Sequence, residues 1–166
     1  MSKISPLAFI DPEAKIGENC EIGPFCFIDK NVEIGDNNVL MNSVSVLYGA
    51  RIGNGNVIFP GAVISAVPQD LKFRGEDTTA EVGDNNKIRE NVTINRGTAA
   101  KGKTCVGSGN LLMESVHVAH DAFVGNDCII GNGTKLAGEI IIDDHAIISA
   151  NVLICLLYTS PSPRDR

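Results

Sequence analysis

A period of six constrains this chain more than any other feature. Counting every sixth residue from Ile4 to Ile154, 23 of 26 positions are Ile, Leu or Val. The run is unbroken from Ile4 to Ile64, returns at Val82, Ile88 and Ile94, and returns again from Val106 onward. The misses are Asp70, Glu76 and Ala100, and they mark two interruptions. The position four residues after each aliphatic is restricted too: Ala8, Ala14, Cys20, Cys26, Val32, Asn38, Val44, Ala50 and Asn56, then Val116, Ala122, Cys128 and Thr134. Gly often follows the aliphatic, as at Gly17, Gly35, Gly53, Gly107 and Gly125. Six is an even multiple of the strand repeat and a poor match to 3.6, so the pattern predicts strands and not helices. The Val and Ile enrichment agrees. Short strands joined by tight Gly/Asn turns close into a triangular coil of three hexads. The predicted fold is therefore all-β, a hexapeptide-repeat parallel β-helix shaped as a triangular prism. Coils in such a stack lie ~4.8 Å apart.

The repeat predicts one domain over residues 1–154, with loop excursions at 65–81 and 95–105. A net charge of −6 argues against a nucleic-acid binder. The N-terminus lacks the basic-then-apolar run of a signal peptide, and no apolar run approaches a membrane span. Of the five cysteines, Cys20, Cys26 and Cys128 take the small inward position and read as core thiols. That usage suits a reducing compartment, so a cytoplasmic location is expected.

Chemistry concentrates where the repeat is disturbed. The first interruption, SAVPQDLKFRGEDTTAE, places Asp70, Lys72 and Arg74 on a loop suited to a polar or phosphorylated ligand. The second, NRGTAAKGKTC, is basic through Arg96, Lys101 and Lys103 and reads as a solvated loop. Beyond it comes LLMESVHVAHDA, which holds two of the three histidines. If Leu112, Val116, Val118 and Ala122 point inward, then His117, His120 and Asp121 point outward. Histidine serves as a general base near neutral pH, and a carboxylate can orient it. One full coil, three hexads, separates His120 from Gly138 and Asp121 from Glu139. A glycine beside the imidazole leaves room for substrate, and its N–H is placed to meet an oxyanion. His145 is not a whole number of coils past His120 and falls on another face, so a metal site of His117, His120 and His145 is disfavoured. A flat ice-binding ladder is disfavoured too, because the outward positions are mixed and charged.

The motifs AVPQDLKFRGEDT, IRENVTINRGT, SGNLLMESVHVAHD and NGTKLAGEI resemble those of bacterial acyl-[acyl-carrier-protein]–UDP-N-acetylglucosamine O-acyltransferases, from about Ile4 to Ile154. The resemblance implies a homotrimer of left-handed parallel β-helices with active sites in clefts between subunits. It implies transfer of a 3-hydroxyacyl group from acyl carrier protein to the 3-hydroxyl of UDP-N-acetylglucosamine, the first step of lipid A biosynthesis. No cofactor is expected to be bound; the acyl donor is the phosphopantetheine thioester of the carrier protein. On this reading His120 is the base, Asp121 orients it and Gly138 meets the oxyanion. Gln69, Asp70, Lys72, His117 and Glu139 bind substrate, and Met113 lies near the acyl chain. No metal is implied. The alternatives are a related hexapeptide N-acyltransferase or an acetyl-CoA-dependent acetyltransferase. The chain departs from the family at Asn95 and Glu139, where many members carry His. It departs more sharply after Ile154, where the hexad phase stops and Pro161 and Pro163 cannot continue a paired strand. Residues 155–166 are therefore expected to be non-native sequence joined to a truncated gene.

Overall fold

The computed structural model describes residues 1–155. The tail from residue 156 on lies outside the described residues. Within them the chain forms 23 strands, most only two residues long, and no helix. They line up in three parallel sheets of eight, eight and seven strands, the parallel β-helix expected from the hexads, with the left hand that the resemblance implies. The first face starts at Lys3–Ile4, the second at Phe9–Ile10 and the third at Lys15–Ile16, and each strand pairs with the strand three further along.

Each two-residue strand alternates once, so one side chain points in and the other out. The inward partner is the hexad aliphatic. Ile28, Ile64, Ile94, Leu112, Val118 and Leu136 are all 0% exposed. The small residues four positions on fill the corners, with Val116, Ala122 and Cys128 buried. Leu112→Ala should cost about 2–5 kcal/mol, because a parallel stack locked on both sides cannot collapse around the void. Denaturant midpoints of variant and parent check this; equal midpoints would refute the inward assignment.

The corners explain the Asn-rich spacing. Many corner residues sit in the left-handed region, such as Asn31 at φ 56°, Asn91 at 59° and Asp121 at 60°. Asn and Asp tolerate that region better than other non-glycine residues. Between the third and first faces Asn38, Asn56, Asn86 and Asn110 form a buried ladder. Each Oδ1 accepts the N–H of the residue stacked on it, at 2.8–2.9 Å, ending on Cys128. Each amide also donates to a glycine carbonyl of the corner, so the polar corner is fully paired.

The two interruptions are whole hexads. Lys3 stacks on Glu21, three hexads on, but Val57 stacks on Lys87, five hexads on, and Lys87 on Leu111, four hexads on. The first thus adds two hexads and the second one, which is why the aliphatic phase resumes unshifted. Both excursions are tighter than the sequence suggests. The strand Val63–Ala66 runs up to the first and Thr79–Val82 follows it, leaving 67–78 outside. Thr93–Asn95 and Lys103–Val106 likewise bound the second at 96–102. The flanking residues stay in the sheets because their backbone groups find partners there, as Thr79 to Val82 do against Lys103 to Val106. Both excursions leave from the edge between the second and third faces. The turn after His117–Val118, which carries His120 and Asp121, lies on that same edge.

Candidate active site

The edge is built around a histidine and a buried carboxylate. His120 turns outward, its side chain 18% exposed, and its Nδ1 lies 2.8 Å from Asp121 Oδ2. Asp121 does not point outward as the hexad phase predicts: its side chain is 0% exposed. The 96–102 excursion closes over it. Asp121 Oδ1 accepts the backbone N–H of Thr98 at 2.9 Å and of Lys101 at 3.3 Å, and Oδ2 accepts the Thr98 hydroxyl at 2.6 Å. The Asp121 N–H itself donates to Thr104 Oγ1 at 2.8 Å. Burial alone would push the carboxyl up. The Thr98 hydroxyl, the His120 ring and the Thr98 N–H outweigh it and hold Asp121 below the usual carboxylate range. An ionised carboxylate only accepts, so Nδ1 of His120 carries the proton and Nε2 presents a lone pair.

Gly138 lies against that lone-pair side. A methyl group on it would stand 2.6 Å from His120 Cε1 and 2.7 Å from Nε2. No side chain fits there while the imidazole holds its place. Among the described residues the Gly138 N–H has no hydrogen-bond acceptor, while the next N–H, of Glu139, donates to His120 O at 3.0 Å. Gly97 is confined as well, since a Cβ there would run into the Lys103 backbone; the 96–102 excursion doubles back too closely for any other residue.

His117 is half-buried on the second face, stacked between Thr93 and Lys135. Its Nδ1 is 2.6 Å from Thr93 Oγ1. Burial first, then the nearby Lys135 and His120, lower its pKa, so the ring is neutral at pH 7. Tied to the His120–Asp121 pair through Thr98 and Glu139, a cleft of about 200 Å³ is lined by Asp70, Lys72 and Glu76 from the first excursion, Thr98 to Ala100 from the second, and Glu139. Asp70 caps the Lys72 N–H at 2.9 Å. Thr98 joins the two groups, lining the cleft while holding Asp121, and Glu139 joins them through its position next to Gly138.

The structure thus gathers His120, Asp121, Gly138, Glu139, Asp70 and Lys72 along one edge. Gln69 is exposed on the same excursion outside the cleft lining. Met113 sits at the far end of the second face, on the corner before His117. His145 is on another edge, 3.9 Å from Asp127. Larger hollows, of about 530 and 490 Å³, lie over the first coils and contain no histidine. Thr98 and Thr104 stand on the small inward phase with Val116 and Thr134, a signal for burial, but nothing in the hexad pattern marks them as hydrogen-bond partners of Asp121. The cations of the second excursion are not free in solvent either. Lys103 pairs with Glu81 at 3.1 Å, Lys101 Nζ donates to Glu139 O, and Arg96 is buried.

The Thr98 contact has a measurable consequence. A carboxyl depressed in the folded state stabilises above its unfolded pKa of ~3.9 and loses that contribution as pH falls through the folded value. Thr98→Val removes the hydroxyl donor and raises the folded pKa. It should cost about 1–3 kcal/mol at pH 7 and start acid unfolding at a higher pH than in the parent. Denaturant midpoints between pH 3 and 7 check both effects; a parallel, pH-independent loss would mean that Thr98 does not act on Asp121.

Fold and edge together define the class: a hexapeptide-repeat parallel β-helix protein. Solved structures narrow it. LpxA, a UDP-N-acetylglucosamine acyltransferase from Bacteroides fragilis, is 74% identical with a TM-score of 0.89, over 90% of this chain and 59% of that one. The UDP-N-acetylglucosamine acyltransferase of Francisella novicida is 44% identical with a TM-score of 0.90, over 92% and 56%. LpxA from Acinetobacter baumannii is 36% identical with a TM-score of 0.77, over 92% and 66%. No protein-family model matches the chain. The chain belongs to the UDP-N-acetylglucosamine acyltransferase family, and it spans between half and two thirds of the length of these members.

Proposed function

We propose that this edge is the acyl-transfer site of a UDP-N-acetylglucosamine O-acyltransferase acting at the first step of lipid A biosynthesis. The observation that carries the reading is the His120–Asp121 pair with the Gly138 backbone packed on its free nitrogen. Nε2 of His120 takes the proton of the sugar 3-hydroxyl as the oxygen attacks the thioester carbonyl of the 3-hydroxyacyl carrier protein. Asp121 stabilises the imidazolium that forms. The N–H of Gly138 donates to the developing oxyanion. Collapse breaks the C–S bond, and the imidazolium returns its proton to the phosphopantetheine sulfur. Asp70, Lys72 and Glu139 hold the sugar nucleotide in the cleft, with Gln69 at its rim, and neutral His117 contributes a hydrogen bond along the second face. Met113, at the far end of that face, contacts the acyl chain.

The chain works as a homotrimer on this reading. Ile129, Ile141 and Ile147 are 41%, 64% and 78% exposed on the outer faces of the last coils, a placement that favours burial between copies. The buried thiols of Cys20, Cys26 and Cys128 suit the cytoplasm. Among the described residues no helix is long and apolar enough to cross a membrane. Donor preference tests the reading. With UDP-N-acetylglucosamine as acceptor, the 3-hydroxyacyl carrier-protein thioester should support transfer and acetyl-CoA should not; the reverse preference would replace this function with an acetyltransferase.

A further inference from the structure

We propose that Arg96 is a positioning residue that clamps the 67–78 excursion to the coils and sets the width of the cleft shared by Asp70, Lys72, Thr98 and Glu139. The inference rests on the substrate role proposed above for that cleft. Left to itself the excursion is poorly secured. Its own bonds are local, such as Phe73 N–H to Asp70 O and the Arg74 guanidinium to Leu71 O, and Leu71 is 95% exposed. Among the described residues two side-chain ties reach it from the coils. Tyr48 Oη donates to Asp77 Oδ1 at 3.0 Å, and the Arg96 guanidinium lies 5.4 Å from the centroid of the Phe73 ring.

Arg96 is placed for this and for little else. It is 9% exposed, and no carboxylate pairs with it among the described residues. Its charge rests on two aromatic faces, Tyr48 at 5.1 Å and Phe73, with one hydrogen bond to Tyr48 O at 3.4 Å. Its Nε has no partner among the described residues. Ring faces attract a desolvated cation more strongly than an exposed one. A planar guanidinium can lie against ring faces while its in-plane N–H groups donate to a carbonyl, a combination that the compact ammonium of lysine does not reproduce in geometry. The backbone of Arg96 is anchored too, its N–H donating to Ala66 O where the first excursion departs. Arg96 is also the first residue of the second excursion, whose Thr98 grips Asp121. One residue therefore opens one wall of the cleft with its backbone and holds the other wall with its side chain.

The test uses Arg96→Lys and Phe73→Leu in the full chain, singly and together. Amide hydrogen exchange is read across 67–78 and across 117–122, alongside KM for UDP-N-acetylglucosamine and kcat. Arg96→Lys keeps the charge and loses the planar contact. It should speed exchange in 67–78 by about tenfold or more while leaving 117–122 protected, and raise KM about tenfold with kcat nearly unchanged. Phe73→Leu, which leaves Arg96 intact, should do the same, and the double variant should add little to either. Unchanged exchange in 67–78, or additive effects in the double variant, would overturn the clamp. Faster exchange with an unmoved KM would instead overturn the role of Asp70 and Lys72 in binding, and with it the claim on cleft width.

Discussion

His120→Ala should lower acyl-transfer turnover by about 100- to 10,000-fold at saturating UDP-N-acetylglucosamine, the range for loss of a general base. A sugar hydroxyl is a poor nucleophile near neutral pH, and His120 Nε2 is the lone pair this edge offers it. The ring is oriented before substrate arrives, because Nδ1–H is engaged by a buried and ionised Asp121. The fold should survive, since His120 contributes nothing to the hexad core. His117→Ala should cost less: its Nδ1 is occupied by Thr93, and it stands on the second face with no bond to the carboxylate at the edge. Rates of both variants decide the matter. Near-parent turnover in His120→Ala, or greater damage in His117→Ala, would put the base elsewhere.

Gly138→Ala should cost turnover about 100-fold or more, with little loss of stability. Gly138 is not in the left-handed region, so alanine meets no backbone penalty there. The added methyl would stand 2.6–2.7 Å from the His120 ring, well inside contact distance. The ring must turn away, and turning breaks the bond to Asp121. Misplacing a reacting group by about 1 Å costs ~100-fold, and a disturbed oxyanion donor adds to it. Rates and thermal midpoints measured together separate this from unfolding. Turnover within a few-fold of parent would show that Gly138 does not lie beside the working base.

The fold was legible because its core position recurs at every hexad and little else in the chain competes with that signal. Gly138 was legible beside His120 for the same reason: no hexad is inserted after Lys103, so a coil keeps its ordinary three hexads there, as in Lys135 under His117. The interruptions hid the rest. Asp121 is buried by Thr98 and Lys101; Thr98 keeps the small inward phase, but the phase does not say that the excursion folds back over the carboxylate, so by itself it turned Asp121 to solvent. Arg96 looked like one cation of a solvated loop because its partners, Tyr48 and Phe73, lie far from it in sequence and meet it only once the coils are stacked. Asn38 and Asn56 were recognisable only as occupants of the restricted position four after the aliphatic. That Asn38, Asn56, Asn86 and Asn110 would form a continuous buried ladder follows only from the coil register, which the inserted hexads lengthen from three hexads to five and then four.

A crystal structure of the chain with bound UDP-N-acetylglucosamine tests the central claim most directly. The sugar should lie at the edge between the second and third faces, its 3-hydroxyl about 2.6–3.2 Å from His120 Nε2, with Asp70 or Lys72 in contact with the nucleotide sugar. A sugar nucleotide seated on another edge, or one whose 3-hydroxyl is out of reach of His120, would contradict that claim.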